Sequence, residues 1–535
     1  MLRSSILTLL IVVGVNAQES PLGRVEFPTS GSPTAQAHFL RGLAALHSFW
    51  YEEALEAFRE STKAEPDFMM GYWGEAMTYN HPLWSEQDLA AARAVIAKFK
   101  DSAKLSERER AYLNAVKLLY GDGDKRARDV AYSAAMEKIY RAYPEDLEAA
   151  AFYSLSLLGL MRPEEKGYRL QAQAGAIALG VYQKNPNHPG AAHYIIHAFD
   201  DPEHAILALS AARRYAEIAP EAHHARHMPS HIFLQLGMWP EAAASNESAW
   251  QSSDNWMKRK HLSLSVRDYH SLHWLLYAYL QQGRYNKAEQ LLALMKQVMK
   301  ESTYDNRLRP DYYENNYANM AAAFVVETER WELANELFPA TQTPATSEQT
   351  TATGSHAGHG QSSTANTMRY SGASRTLPPF IRALSAAIRG SDAAAGLSGI
   401  RELEVAAVSA SMKNDHGKAI ELMKQATALE EQLSPPSGPP SLIKPTHELF
   451  GEILLRANKP AEAAAQFHTA LLRQPNRARS LLGAARAAAQ SGDQAAAAAT
   501  YAKLIEQWNH ADEGLRELSE ARDYLKSHPQ ITRIN

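Results

Sequence analysis

The chain has 535 residues, with 55 lysines and arginines against 59 aspartates and glutamates, and 45% of its residues are hydrophobic. That length exceeds one compact core. A formal charge of −4 with no long basic run gives no reason to expect a nucleic-acid partner. No cysteine is present, so packing alone holds the fold, and a bound metal takes nitrogen or oxygen ligands rather than thiolate.

The first residues, "MLRSSILTLLIVVGVNAQES", pattern as a secretory leader. Arg3 is followed by a short apolar run, Ile6 to Val15, and by the small-residue stretch Val15-Asn16-Ala17. The run is too short to span a bilayer. The expectation is a signal peptide over 1–17 and a secreted or periplasmic protein with no membrane span after cleavage.

Helical segments follow in a repeating form. "YEEALEAFRESTKAEPDF" (Tyr51 to Phe68), "GRYNKAEQLLALM" (Gly283 to Met295), "KPAEAAAQFHTALLRQPN" (Lys459 to Asn476) and "GDQAAAAATYAKLIEQW" (Gly492 to Trp508) share an aromatic-alanine-phenylalanine grammar. The pattern is looser between about Asp101 and Leu170. Residues Ala340 to Thr376 are rich in Ser, Thr and Gly and read as a flexible linker carrying His356 and His359. "SPPSGPPSLIKP" (Ser434 to Pro445) is a shorter break.

These segments resemble tetratricopeptide repeats. The resemblance implies an all-α, right-handed α-solenoid of stacked helix pairs, in which no pair buries its apolar stripe alone. It divides the chain into an N-terminal section, 34–339, the linker, 340–376, and a C-terminal section, 377–535. The pattern also resembles uncharacterised secreted bacterial proteins of this repeat class with paired HYxIH and HMPSHI motifs.

Eleven of the 21 histidines lie between His188 and His273. Pro186 and Pro220 are 34 residues apart, one repeat length. In that register His193 and His227 share position five of the first helix, and His197 and His231 share position nine. His270 pairs with His224 at position two, His273 falls at five and Tyr277 at nine. Residues four apart share a helix face. The resemblance implies that positions two, five, nine, twelve and thirteen face a concave groove. The candidate metal ligands are therefore His193, His197, His224, His227, His231, His270 and His273. His223 has no match in the neighbouring repeats, and His188, His204 and His261 read as surface or cap residues. Pro229, inside "HMPSH", either kinks a helix or starts one.

All-nitrogen ligation suits copper, zinc, iron or nickel, and more than one tetrahedral ion is provided for. Copper leads, with zinc and iron as alternatives, and an oxidoreductase is favoured over a hydrolase. Glu75, His81 and Tyr277 are candidate catalytic residues. Asp200 and Asp201 read as N-caps, with an alternative role in fixing a histidine tautomer. Glu327, Glu448, Glu452 and the polar "YYENNYAN" (Tyr312 to Asn319) also fall on groove positions. The alternative to a metal protein is a non-catalytic scaffold that holds a peptide or protein partner, or a small molecule, in the groove.

Overall fold

The computed structural model describes residues 21–162, 167–301, 312–339, 372–391 and 396–529. The expected leader, most of the expected linker and His356 and His359 lie outside them. The described residues form an all-α solenoid of stacked helix pairs, each helix packing on the next in sequence. Their two short strands, Asn80–His81 and Glu86–Gln87, pair antiparallel. No helix among them is long and apolar enough to cross a membrane.

The repeat packing is tetratricopeptide-like at both ends. Phe58 on the Tyr51–Ala64 helix lies so close to Gly42 and Gly74 that a Cβ there would stand 2.9 and 2.3 Å from its ring. Phe467 meets Gly451 and Gly483 in the same way, at 2.7 and 2.2 Å. A helix-B phenylalanine thus lies between glycines of two successive A helices, which lets the helices approach closely.

The solenoid closes on itself. Near the start, Trp256 donates to Glu53 at 2.9 Å and Lys260 pairs with Glu53 at 3.0 Å. Near the end, Trp239 donates to the Asn476 carbonyl at 2.9 Å and Trp508 to the Gln281 carbonyl at 3.0 Å. Gly237 (φ +65°) faces the Pro475 carbonyl, where a Cβ would stand 2.6 Å away, so this turn tolerates only glycine in both conformation and space.

A buried charge network fastens the C-terminal section. Arg477 donates to Glu448 at 2.7 Å, pairs with Glu327 at 2.6 Å and donates to the Tyr277 hydroxyl at 2.7 Å. Lys444 adds bonds to Glu448 (3.0 Å) and Glu452 (2.6 Å). Glu327, Glu448 and Glu452 therefore bind each other's partners rather than the histidines. Burial opposes ionisation of Glu448, yet Arg477 and Lys444 hold its carboxyl below the usual range. Truncating one partner of such a pair leaves uncompensated buried charge. Arg477→Met is expected to lower stability by about 3–5 kcal/mol, read from the urea midpoint; an unchanged midpoint would show that the network contributes nothing to closure.

Candidate metal centre

The histidine helices begin where their sequences dictate. Pro189 is the first residue of the Pro189–Ala198 helix, and His188 caps it by accepting from the Ala191 amide at 3.1 Å. His193 and His197 then lie one turn apart on one face. Asp268 caps the Tyr269–Gln281 helix through the Ser271 amide at 3.0 Å, which sets His270 in its first turn.

Pro229 starts a helix, Pro229–Gln235, after a separate five-residue helix, His223–His227. Met228 between them keeps helical angles (φ −53°, ψ −35°), so the helical path continues across the break. His227 and His231 remain stacked one turn apart although they belong to different helices.

Six of the seven candidate ligands gather into two triads. His193, His197 and His224 form the first; His227, His231 and His270 form the second. Within each, one nitrogen per ring lies within 4.8 Å of the others. Each triad draws positions five and nine from one repeat and position two from the next. The triads adjoin: ring centroids are 6.0 Å apart for both His197–His231 and His224–His227.

His273 stands outside both triads. In its repeat, position nine is Tyr277, and position two of the helix that follows is Asn316, where a histidine would complete a third set. Burial lowers His273 to about 3. The other catalytic candidates also stand apart from the triads. Glu75 accepts from Arg59 at 2.8 Å. Tyr277 belongs to the Arg477 network. His81 stacks on Tyr51 at 3.9 Å and bonds Glu86 at 3.2 Å. It approaches the first triad through intervening rings, Trp84, which lies 6.3 Å from His224, and Tyr51, which stacks on Phe49.

The outer nitrogens fix the tautomers. His193 donates from Nδ1 to the His47 carbonyl at 2.7 Å. His231 donates from Nδ1 to Asp200 at 2.7 Å. The Asn246 amide nitrogen is committed to the Ala242 carbonyl at 2.8 Å, so its oxygen accepts from His227 Nδ1 at 2.7 Å. With Nδ1 protonated, Nε2 of a neutral ring carries a lone pair. When both rings are neutral, the Nε2 atoms of His227 and His231 direct lone pairs at each other across 3.1 Å. His193 and His197 approach through Nε2 at 3.0 Å, and His224 Nε2 is buried without a hydrogen-bond partner. Two such nitrogens fit a shared ion about 2.0–2.1 Å from each.

A third group, His47, Glu148 and His188, differs in this respect. His47 donates to Glu148 at 2.6 Å and accepts from Tyr194 at 2.8 Å. His188 donates to the same carboxylate at 3.2 Å while capping its helix. Every ring nitrogen there is satisfied, so this group is a structural hydrogen-bond network.

Several partners were not evident from sequence. The His47 carbonyl, Asn246 and Phe49 carry no local signal, and Asp200 reads first as a cap. Asp201 serves the turn before the next helical segment, whose N-cap is His204, by accepting from the Glu203 amide at 2.9 Å. Phe49 covers the first triad, its ring 4.3 Å from His193, 5.9 Å from His197 and 5.8 Å from His224. It does so from the left-handed region (φ +53°), a strain of about 1–3 kcal/mol. The expected open groove is thus covered here by the turn between the first two helices.

No protein-family model and no curated protein matches the chain. Similar solved structures include yeast Tom70, at 11% identity over 94% of this chain and 90% of that one, with a TM-score of 0.23. Another is the TPR domain of P58(IPK), at 12% identity over 94% and 99%, with a TM-score of 0.21. A third is Naa15/Naa10 bound to HypK-THB, at 11% identity over 93% and 74%, with a TM-score of 0.19. The fold assignment rests on the helix packing described above.

Burial holds His193 at about 3 and His227 at about 4, with neighbouring imidazoles adding to the effect. An unfolded histidine titrates near 6.5. Between those values the unfolded chain takes up protons that the folded chain refuses, so stability is full above about pH 6.5 and falls toward pH 4. The metal-free protein is expected to melt at a lower temperature at pH 5 than at pH 7, with both rings still neutral by NMR. Titration of these rings near pH 6.5 would contradict this.

Proposed function

We propose that the chain binds two transition-metal ions, one in each histidine triad, and is a metal-dependent oxidoreductase with copper as the leading ion. The observation that carries this reading is the pair of facing lone pairs on His227 and His231, whose tautomers Asp200 and Asn246 fix from outside. With both rings neutral and no cation that arrangement is repulsive; with a cation it is a ligand pair. Three imidazoles per ion and no carboxylate in either triad suit copper, and leave no carboxylate base of the kind a dizinc hydrolase uses.

A pair of copper ions held this close supplies one-electron steps and affinity for dioxygen. The chain's own residues orient and shield. Asp200 and the His47 carbonyl hold the imidazoles by their outer nitrogens, which raises ligand basicity. His193 and His227 form a floor closed to solvent, while His197, His224 and His270 keep partial exposure through which a substrate can approach.

A second reading is a scaffold that holds a protein or peptide partner. Stacked helix pairs present broad surfaces of the kind repeat proteins use for partners, and nothing in the metal reading removes those surfaces.

Elemental analysis of the purified protein decides first. The expected content is about two ions per chain for two closed histidine sets. His193→Ala and His231→Ala are each expected to remove one ion, and His273→Ala none. A wild-type protein that takes up no stoichiometric copper, zinc or iron ends the metal reading and leaves the scaffold. Asp200→Asn is expected to weaken metal affinity of the second triad by about 10–100-fold, by competition with a chelator, and to leave the first unchanged.

A further inference from the structure

Behind the Phe49 ring lies a cavity of about 30 Å³, lined chiefly by Leu46, Met77, Leu119, Phe152 and Leu155. That space is sufficient for about two water-sized bodies. A buried water needs two to four polar partners, and most of the polar groups at this cavity already have partners. Both Asp129 oxygens accept from Lys125 at 2.8 Å. The Ser156 hydroxyl bonds Ser133 at 2.9 Å and the Tyr153 carbonyl at 2.7 Å. Asn80 accepts from Gln87 at 3.1 Å. The Tyr51 hydroxyl is left buried without a partner. A wall this largely apolar suits a small uncharged molecule.

The wall between this cavity and the first triad is Phe49. Its ring lines the one and touches His193 in the other, from a backbone conformation that a bulky residue rarely adopts.

We propose that the cavity is a binding site for dioxygen, stored beside the first triad behind the Phe49 ring. Its use rests on the metal reading above; the binding itself does not.

The test uses the full-length, metal-free protein and methyl NMR under pressurised dioxygen, with dinitrogen as the reference. Dissolved dioxygen is paramagnetic and speeds relaxation of the methyl groups it touches. The expected result is at least several-fold greater enhancement at Leu46, Met77 and Leu155 than at Leu292 or Leu504, which are buried elsewhere. Leu155→Phe is expected to abolish the excess at Leu46 and Met77. Equal enhancement at all these methyls in the wild type overturns the proposal, and so does an excess that survives a folded Leu155→Phe. The wild-type comparison decides alone if that variant does not fold. Absence of metal by elemental analysis would sink the earlier reading and leave this result standing.

Discussion

The site depends on where four protons sit. Asp200, Asn246 and the His47 carbonyl each take the Nδ1 proton of an imidazole, which sends the Nε2 lone pairs of His231, His227 and His193 inward. The fourth, on Asn246, is held by the Ala242 carbonyl, so the amide cannot rotate to offer a donor instead. Burial keeps His193 and His227 neutral at physiological pH, so neither of these two rings relieves the crowding by taking up a proton, and a bound cation would. In the His47–Glu148–His188 group the inner nitrogens meet a carboxylate, and no such demand remains. Histidine clustering alone does not distinguish these groups; tautomer does.

Closure of the solenoid serves this arrangement. The His47 carbonyl that orients His193 lies at the end of the first helix, 146 residues away in sequence. It reaches the site because the first helix pair packs against the Pro189–Ala198 helix and against Trp256. From the other side, Gln235 donates both to Asp200 at 3.1 Å and to the Pro436 carbonyl at 2.9 Å, linking the second triad's outer carboxylate to the C-terminal section. An open groove built to admit a long peptide would not need these contacts across it. A closed one holds side chains against their own repulsion.

The architecture and the grouping of most of the candidate histidines were legible in the sequence. Helical periodicity, the 34-residue proline spacing and the i, i+4 histidines are local signals, and local signals survive folding. The register placed His193, His197, His227 and His231 on one face correctly. It did not divide the ligands into two sets, because that depends on how far each helix is offset from the next. Nor did it expose Phe49, Asn246 or the His47 carbonyl, since each acts through a contact between distant segments. Asp200 and Asp201 show the limit well. Both precede "PEHAILALSAARR", and sequence offers each the same two roles. The fold makes neither an N-cap: it gives Asp201 the amides of the turn and Asp200 the imidazole.

The repeat accounts for why there are two triads. A ligand set composed of positions five and nine of one helix pair and position two of the next is a property of the interface between repeats. An array of n such interfaces can hold n sets. Here the array starts where Gly190 occupies position two, and a Cβ there would stand 2.4 Å from His47 Nδ1. That space is taken by the structural histidine rather than by another ligand. The array stops where Tyr277 and Asn316 occupy the positions that would complete a third set around His273. Two adjacent interfaces are left, and their centroid spacings of 6.0 Å follow from helices packed about 8–10 Å apart. A fold that stacks identical units thereby sets the separation of the two sites without any residue dedicated to that purpose. It also makes the sites chemically unequal, because only the second has a carboxylate, Asp200, behind one of its rings.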